Sequence, residues 1–252
     1  MMTVDAPDVS TAWITAAEQL LPERKAIHTV VRIADPVAEV PQVRQAVDAL
    51  LDAQHLQCVE TVANTIFPVA LAAGSRDHAE LVERYTRMGP VLRRFSKNRL
   101  GTYFGRLIQY PTPQGPFDQI GAVIKRIGIE RAGGRAKQAR YEATLAAEEV
   151  YSSMTPTYVP GQDNSAMAFP CLSHCSFQLD NDGRVHLLAT YRSQFVVQRG
   201  YGNYLGLGRL LAYVAERAGL ATGQLTVVAG LAHLENPILP VRALVQRFSQ
   251  PA

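Results

Sequence analysis

The sequence predicts an α+β fold. Most of the first half follows a helical period, whereas the second half holds short β-branched and aromatic runs around one long apolar helical stretch. Between two of those runs lies Asn181-Asp182-Gly183, a hairpin signal because Asp-Gly tolerates the positive φ of a tight turn. Regular alternation of strands and helices, the mark of a parallel α/β sheet, is missing from this pattern.

Taken in order, residues 1–12 are polar and contain Pro7, so a frayed end is expected. Ile27–Ile33 reads as a strand stopped by Asp35-Pro36. Pro41 opens a helix to about Leu56, with Val43, Val47, Leu50 and Leu51 on one face. Gln57–Ala73 reads as a second helix, apolar on most sides and kinked at Pro68. Residues 78–97 form a third, with Arg87, Arg93, Arg94 and Lys97 toward its end. YPTPQGP (110–116) is a turn-rich linker before an amphipathic helix from Phe117 to Ile127, and the basic, Gly-rich stretch 128–140 reads as a mobile surface loop. Strands follow at Ala168–Leu179 and Arg184–Arg192. Next come a helix over 203–218, with Gly219 placed as its C-cap, and a strand from Gln224 to Leu231 leading to His233. No internal repeat is evident, and the chain 1–252 is expected to form a single domain.

Composition narrows the function classes. Of 252 residues, 47% are apolar and 19% charged, which excludes a disordered tail or a coiled coil. No run approaches the roughly 18 apolar residues of a membrane span, and no secretory leader is read at the start. A net charge of +3 suits an anionic small molecule better than general nucleic-acid binding, for which the 126–140 stretch is the one candidate place. Cys58, Cys171 and Cys175 are too few for a disulfide framework. A soluble protein of the reducing cytoplasm, with no membrane partner, is the expectation.

Chemistry concentrates around Pro170-Cys171-Leu172-Ser173-His174-Cys175. Each cysteine can be read as a small buried hydrophobe, a metal ligand or a nucleophile. In a regular strand Cys171, Ser173, Cys175 and Phe177 share one face and His174 the other, which argues against zinc held by Cys171, His174, Cys175 and His233, so no metal site is expected. A nucleophile needs a cation to favour the thiolate, and hairpin pairing brings Arg192 toward Cys171. Asn203, in GYGNY, reads as an N-cap or as an amide that offers donor and acceptor to a planar base edge. His233, after an apolar strand, reads as a structural residue or as a ligand contact.

The order and spacing of these motifs resemble the thymidylate synthases and related pyrimidine nucleotide hydroxymethylases. The likeness rests on Pro170-Cys171, Arg192-Ser193, Asn203 eleven residues beyond Arg192, Gly230 to His233, and LGTYFGRLIQYPTPQGPFDQI at 100–120. It runs from about Glu60 to Asn236, most of the chain. It implies a mixed β-sheet packed around a long central helix, in a homodimer with sheets back to back. The implied reaction is transfer of a one-carbon unit from 5,10-methylenetetrahydrofolate to C5 of a uridine-type nucleotide, giving a methyl or hydroxymethyl product. Cys171 would add to C6 of the ring, with Cys175 the alternative because the spacing to Asp182-Gly183 is one residue longer than usual. Arg192 would hold thiolate and phosphate, Ser193 would donate to phosphate, and Asn203 would read the uracil. His233 would contact the ribose, Tyr103 would bind substrate, Glu60 would relay protons, and Arg140 would reach across the dimer.

There are departures. No arginine loop is found before Glu60. Only Arg140 remains of a paired-arginine motif, with Arg135 and Lys137 as substitutes. Leu231 and Glu235 stand where sugar-reading Asp and Tyr are usual. Trp13 is the single tryptophan, and the chain stops at Ala252 without the long closing stretch of the family. These leave two other readings: a folate-independent enzyme using the same cysteine adduct, and a non-catalytic nucleotide-binding homologue.

Overall fold

A computed structural model describes residues 1–99, 101–132, 154–156 and 170–249. In chain order these form β1 (Met2–Asp8), α1 (Val9–Leu20), β2 (Lys25–Asp35), α2 (Pro41–Ala53), α3 (Val59–Ile66), α4 (Val69–Ala73) and α5 (His78–Leu92). After a 3-10 turn at Ser96–Asn98 come α6 (Tyr103–Ile108), β3 (Tyr110–Thr112), β4 (Gly115–Phe117) and α7 (Gln119–Ala132). The remainder is β5 (Met154–Pro156), β6 (Leu172–Leu179), β7 (Arg184–Phe195), a π-helical turn (Val196–Gly200), α8 (Tyr201–Arg217), β8 (Ala221–His233) and α9 (Ile238–Phe248). The class is mixed α+β, as the pattern predicts.

Six strands form one mixed sheet in the order β1-β2-β8-β7-β6-β5, and β3 and β4 form a separate small hairpin. The β1/β2 and β7/β8 pairs are parallel and the other neighbours antiparallel. Alternate residues Val31, Ile33, Val185, Leu187, Ala189, Tyr191, Leu225, Val227 and Ala229 are buried, while Leu188, Thr190, Thr226 and Val228 between them are half-buried. This period of two follows from the pleat.

The N-terminus corrects the sequence reading. Residues 2–8 are an ordered edge strand, with Val4 and Ala6 buried and Asp5 paired to Arg32. Pro7 is compatible because an edge strand leaves one row of N–H groups unpaired. Asp8 then caps α1, accepting the Thr11 N–H at 2.9 Å. Pro68 divides rather than kinks its helix: Phe67 is extended (φ −147°, ψ 115°), as a residue before proline tends to be, so α3 and α4 are separate. The predicted linker at 110–116 is largely the β3–β4 hairpin. Residues 128–132 continue α7, where Arg126 pairs with Glu130 at 2.7 Å and Arg131 donates to the Ala218 and Gly219 carbonyls at the end of α8. The rest of the expected loop lies outside the described residues.

Nearly every residue of α8 is buried. It ends in a Schellman arrangement, with Gly219 at φ 67°, the Gly219 N–H on the Glu216 carbonyl and the Leu220 N–H on that of Ala215. Its other glycines allow close approach. A Cβ on Gly202 would stand 2.5 Å from Val62 Cβ, and one on Gly206 would stand 2.7 Å from the Ala63 carbonyl oxygen, both on α3. Gly206→Ala gains about 1 kcal/mol of helix propensity but forces α3 away, at roughly 1–3 kcal/mol. We expect a net fall in the chemical-denaturation midpoint at unchanged m-value. A midpoint equal to or above wild type would show that α3 and α8 are not held by this contact.

Candidate active site

The first turn of α8, the end of β7, the start of β6 and the N-terminus of α6 converge on a cavity of about 400 Å³. It is lined by Tyr103, Arg106, Pro170, Cys171, Ser193, Gln194, Phe195, Gln198, Arg199 and Asn203, with Gln57, Val62 and Thr65 from the α3 side and Asn98, Gly101 and Thr102 from the α5–α6 connection. Four residues expected from sequence, Cys171, Ser193, Asn203 and Tyr103, therefore meet in one place.

A β-bulge positions the cysteine. Between Leu172 and His174 the register of β6 against β7 shifts, and the Ser173 hydroxyl donates to the Thr190 carbonyl at 2.8 Å. The extra residue resets the alternation. Leu172, rather than Ser173, is buried with Cys175 and Phe177. The expectation that Cys171 and Cys175 share a face fails for this reason. Cys175 is fully buried opposite Ala189, whereas Cys171 is a half-buried free thiol on the cavity wall. Among the described residues no group of three or more His, Cys, Asp or Glu side chains is gathered for a metal ion.

Tyr103 begins α6 behind Gly101 (φ 91°) and the cap Thr102, whose hydroxyl accepts the Gly105 N–H at 3.1 Å. Its phenol oxygen accepts the Leu172 N–H at 3.4 Å. Burial, with a smaller contribution from Cys171, pushes its pKa up, so the hydroxyl stays protonated and keeps its hydrogen to donate.

Asn203 is not an N-cap. The chain enters α8 through the π-helical turn, and Asn203 is the third residue of the helix, 5% exposed, with no hydrogen bond from its amide to another described residue. The capping explanation falls away, leaving donor and acceptor available at the cavity wall. One turn earlier is Arg199, a residue sequence reasoning missed. Its Nη1 donates to Gln57 Oε1 at 2.6 Å. Burial lowers its pKa, opposed by Tyr103, Cys171 and Glu235. The i, i+4 spacing from Arg199 to Asn203 is the signal that was present, but it becomes visible only once the helical path is known to begin before residue 201.

Three expected residues are not brought into the cavity. The Arg192 N–H donates to the Cys171 carbonyl at 2.8 Å, yet the Arg192 side chain is exposed, its Nε 3.4 Å from the Pro170 carbonyl oxygen. Backbone pairing joins the two residues, while the Arg192 side chain is not part of the cavity lining. Glu60 faces α2 and α8, where Arg209 holds both its oxygens at 2.7 and 2.9 Å and Arg44 stands at 3.5 Å. Its neighbours Thr65 and Val62, not Glu60 itself, look into the cavity, because α3 turns about 100° per residue. His233 pairs with Phe195 across the sheet, ring centroids 5.8 Å apart, and Phe195 rather than His233 lines the cavity. Arg140, with Arg135 and Lys137, lies outside the described residues.

An α+β chain with a cysteine, two arginines and an amide around a cavity of about 400 Å³ defines a candidate small-molecule site. No family model matches the chain. It is 30% identical over 156 residues to a protein of Methanopyrus kandleri named "Putative thymidylate synthase", covering 61% of this chain and 61% of that protein. Proteins of the same name from Methanococcoides burtonii and Methanosarcina barkeri are 30% and 28% identical over 133 residues, 53% of this chain and 52% of theirs. The chain thus spans 52–61% of the length of these three relatives. These matches support a distant thymidylate synthase-like relationship. Among the described residues no helix is long and apolar enough to cross a membrane.

The charge cluster at Glu60 gives a pH expectation. Arg209, chiefly by hydrogen bonding, holds the Glu60 carboxyl below its ordinary value. A depressed carboxylate stabilises the fold at neutral pH, and that contribution fades as pH falls from about 4.3 through the folded-state value. Glu60→Gln should be less stable than wild type at pH 7, with the gap narrowing toward pH 3 in thermal melts. A constant gap would mean that ionisation of Glu60 contributes nothing.

Proposed function

We propose that this protein is a thymidylate synthase-like C1 transferase that acts on C5 of a uridine-type pyrimidine nucleotide through a Cys171 adduct. The observation that carries this reading is the joint placement of Cys171, Ser193 and Asn203, three residues of the family pattern distant in sequence, on one cavity wall. The distant relatives bearing that name support it.

The chemistry follows from the groups present. C5 of uracil is a poor nucleophile. Addition of the Cys171 thiolate to C6 makes C5 electron-rich and labilises its hydrogen, and elimination of the thiolate afterwards restores the ring double bond. Asn203 offers an N–H and a carbonyl oxygen together, matching the adjacent O4 and N3–H of uracil. Ser193 and Arg106 suit a phosphate. Tyr103 donates one hydrogen bond and remains neutral. The cavity opens beside a groove of about 620 Å³ that shares Gln57, Thr65, Asn98 and Thr102 and is walled by Leu71, Met88, Leu92 and Phe95. Apolar walls with a few amides fit the flat ring of 5,10-methylenetetrahydrofolate, which would supply the one-carbon unit when bound. The homodimer with sheets back to back, and an Arg140 contribution across it, belong to the same reading, as does a cytoplasmic setting.

The direct assay is tritium release from 5-tritiated UMP, dUMP and the corresponding nucleosides, with and without methylenetetrahydrofolate. Release should occur with at least one of them, fall by at least 10³-fold in Cys171→Ser, and survive in Cys175→Ser. Absence of release from every substrate would overturn the proposal. Release independent of folate would keep the adduct and remove the one-carbon donor.

A further inference from the structure

We propose that the small cavity between α5 and α6 is a second anion subsite, which takes the outer phosphate of a pyrimidine nucleotide seated in the Cys171 cavity. The inference rests on the proposed function for the identity of that nucleotide, but not for the anion itself.

This cavity, of about 170 Å³, lies where two helical stripes face each other. Tyr85, Gly89, Leu92 and Arg93 follow the i, i+4, i+7, i+8 spacing of one face of α5 and its C-terminal cap. Thr102, Gly105, Arg106 and Gln109 follow the i, i+3, i+4, i+7 spacing from the N-cap of α6. Facing stripes of this kind ordinarily close on apolar side chains. Here Gly89 and Gly105 supply none, and the space stays open. The three atoms nearest a Cβ on Gly89 would be Nη1, Cζ and Nη2 of Arg93, at 3.4 to 3.8 Å, so the Arg93 guanidinium folds back over that glycine. The walls are tied together. Tyr85 and Thr102 share a hydrogen bond of 2.6 Å, and Gln109 Nε2 donates to the Thr86 hydroxyl oxygen at 3.0 Å.

The lining is chemically one-sided. It brings together the guanidiniums of Arg93 and Arg106 and the amides of Asn98 and Gln109, and no Asp or Glu stands among the described residues that form it. Residues 93–99 add Arg94, Lys97 and Arg99 to the chain around its mouth, again without an acid. Planar cationic donors converging on one space are suited to phosphate oxygens, and the surrounding charge draws anions toward them.

The walls also point to the ligand that carries the phosphate. Arg106, Asn98, Gly101 and Thr102 are shared with the Cys171 cavity, whereas Arg106 is not part of the wall of the 620 Å³ groove. A guanidinium has five N–H groups, enough to serve two phosphates at once. With the first phosphate on Ser193 and Arg106, the next one along the chain meets Arg106 and exposed Arg93. The substrate class is thereby a nucleotide with two or more phosphates.

Isothermal titration calorimetry on the full-length protein, at fixed ionic strength, tests this first with inorganic pyrophosphate and then with UMP and UDP. Pyrophosphate should bind, and its affinity should fall by about tenfold or more in Arg93→Gln, the loss of one charge-assisted contact. Gly89→Asp, which sets a carboxylate beside the Arg93 guanidinium, should lose it as well, and Arg94→Gln should follow wild type. UDP should bind about tenfold tighter than UMP, a ratio that Arg93→Gln brings to about one. Pyrophosphate that does not bind, or binds wild type and Arg93→Gln alike, overturns the subsite. UMP and UDP bound equally by wild type would mean an adventitious ion only, and would overturn it too. Pyrophosphate lost in Arg93→Gln, with no pyrimidine nucleotide bound and no tritium released, would sink the proposed function and leave the anion site standing. Tritium release with pyrophosphate binding unmoved by Arg93→Gln would do the reverse.

Discussion

Two backbone N–H groups on the carboxylate of Glu235 hold the site together. The π-helical turn at Val196–Gly200 joins the end of β7 to α8, and its widened path leaves N–H groups that a regular helix start would have to satisfy by other means. Glu235, just beyond β8, takes those of Val197 and Gln198. Hydrogen bonds to a charged acceptor contribute about 1.5–3 kcal/mol each, enough to fix one geometry for a five-residue turn. On the far side of the turn the buried Trp13 indole donates to Val196. The N-terminal helix α1 and the last strand of the sheet thus meet at the segment that aims Arg199 and Asn203.

That segment can be aimed only because α8 lies so close to α3. With Gly202 and Gly206 facing Val62 and Ala63, the helices approach at backbone distance, and the first turn of α8 comes level with Gln57, Val62 and Thr65. Glu60, on the neighbouring side of α3, is occupied in fastening the pair through Arg209 of α8 and Arg44 of α2. Packing and function are divided by helical phase. One face of α3 carries the ion pairs, the other forms the wall of the cavity.

Much of this was legible in the sequence, for identifiable reasons. The α2 face of Val43, Val47, Leu50 and Leu51, the Asp182-Gly183 hairpin and the Gly219 cap are local signals, fixed by residues within one or two turns of each other. Features set by tertiary contact were not. Residues 2–8 look like a polar tail until β2 is there to pair with them. The bulge at Ser173 leaves no mark in an alternating run, yet it decides which cysteine is buried. The displaced start of α8 hid both the interior position of Asn203 and the place of Arg199 on the cavity wall. Glu60 and Arg192 show the matching limit: a motif fixes their place in the chain, but side-chain direction depends on which charges and walls the fold sets around them.

The departures from the family pattern then take on a common meaning. Where a sugar-reading tyrosine is usual, Glu235 stands, and its carboxylate is consumed in holding the turn that carries Arg199. His233, instead of facing the cavity, stacks near Phe195, and the phenyl ring takes the wall position. That side of the cavity is therefore bounded by Phe195, Gln198 and the Arg199 side chain. A wall of this kind is less able to read individual ribose hydroxyls by hydrogen bonds and better able to hold negative charge. On the proposed function, with Cys171 as the nucleophile, selectivity rests on the base and on anionic groups rather than on the sugar hydroxyls.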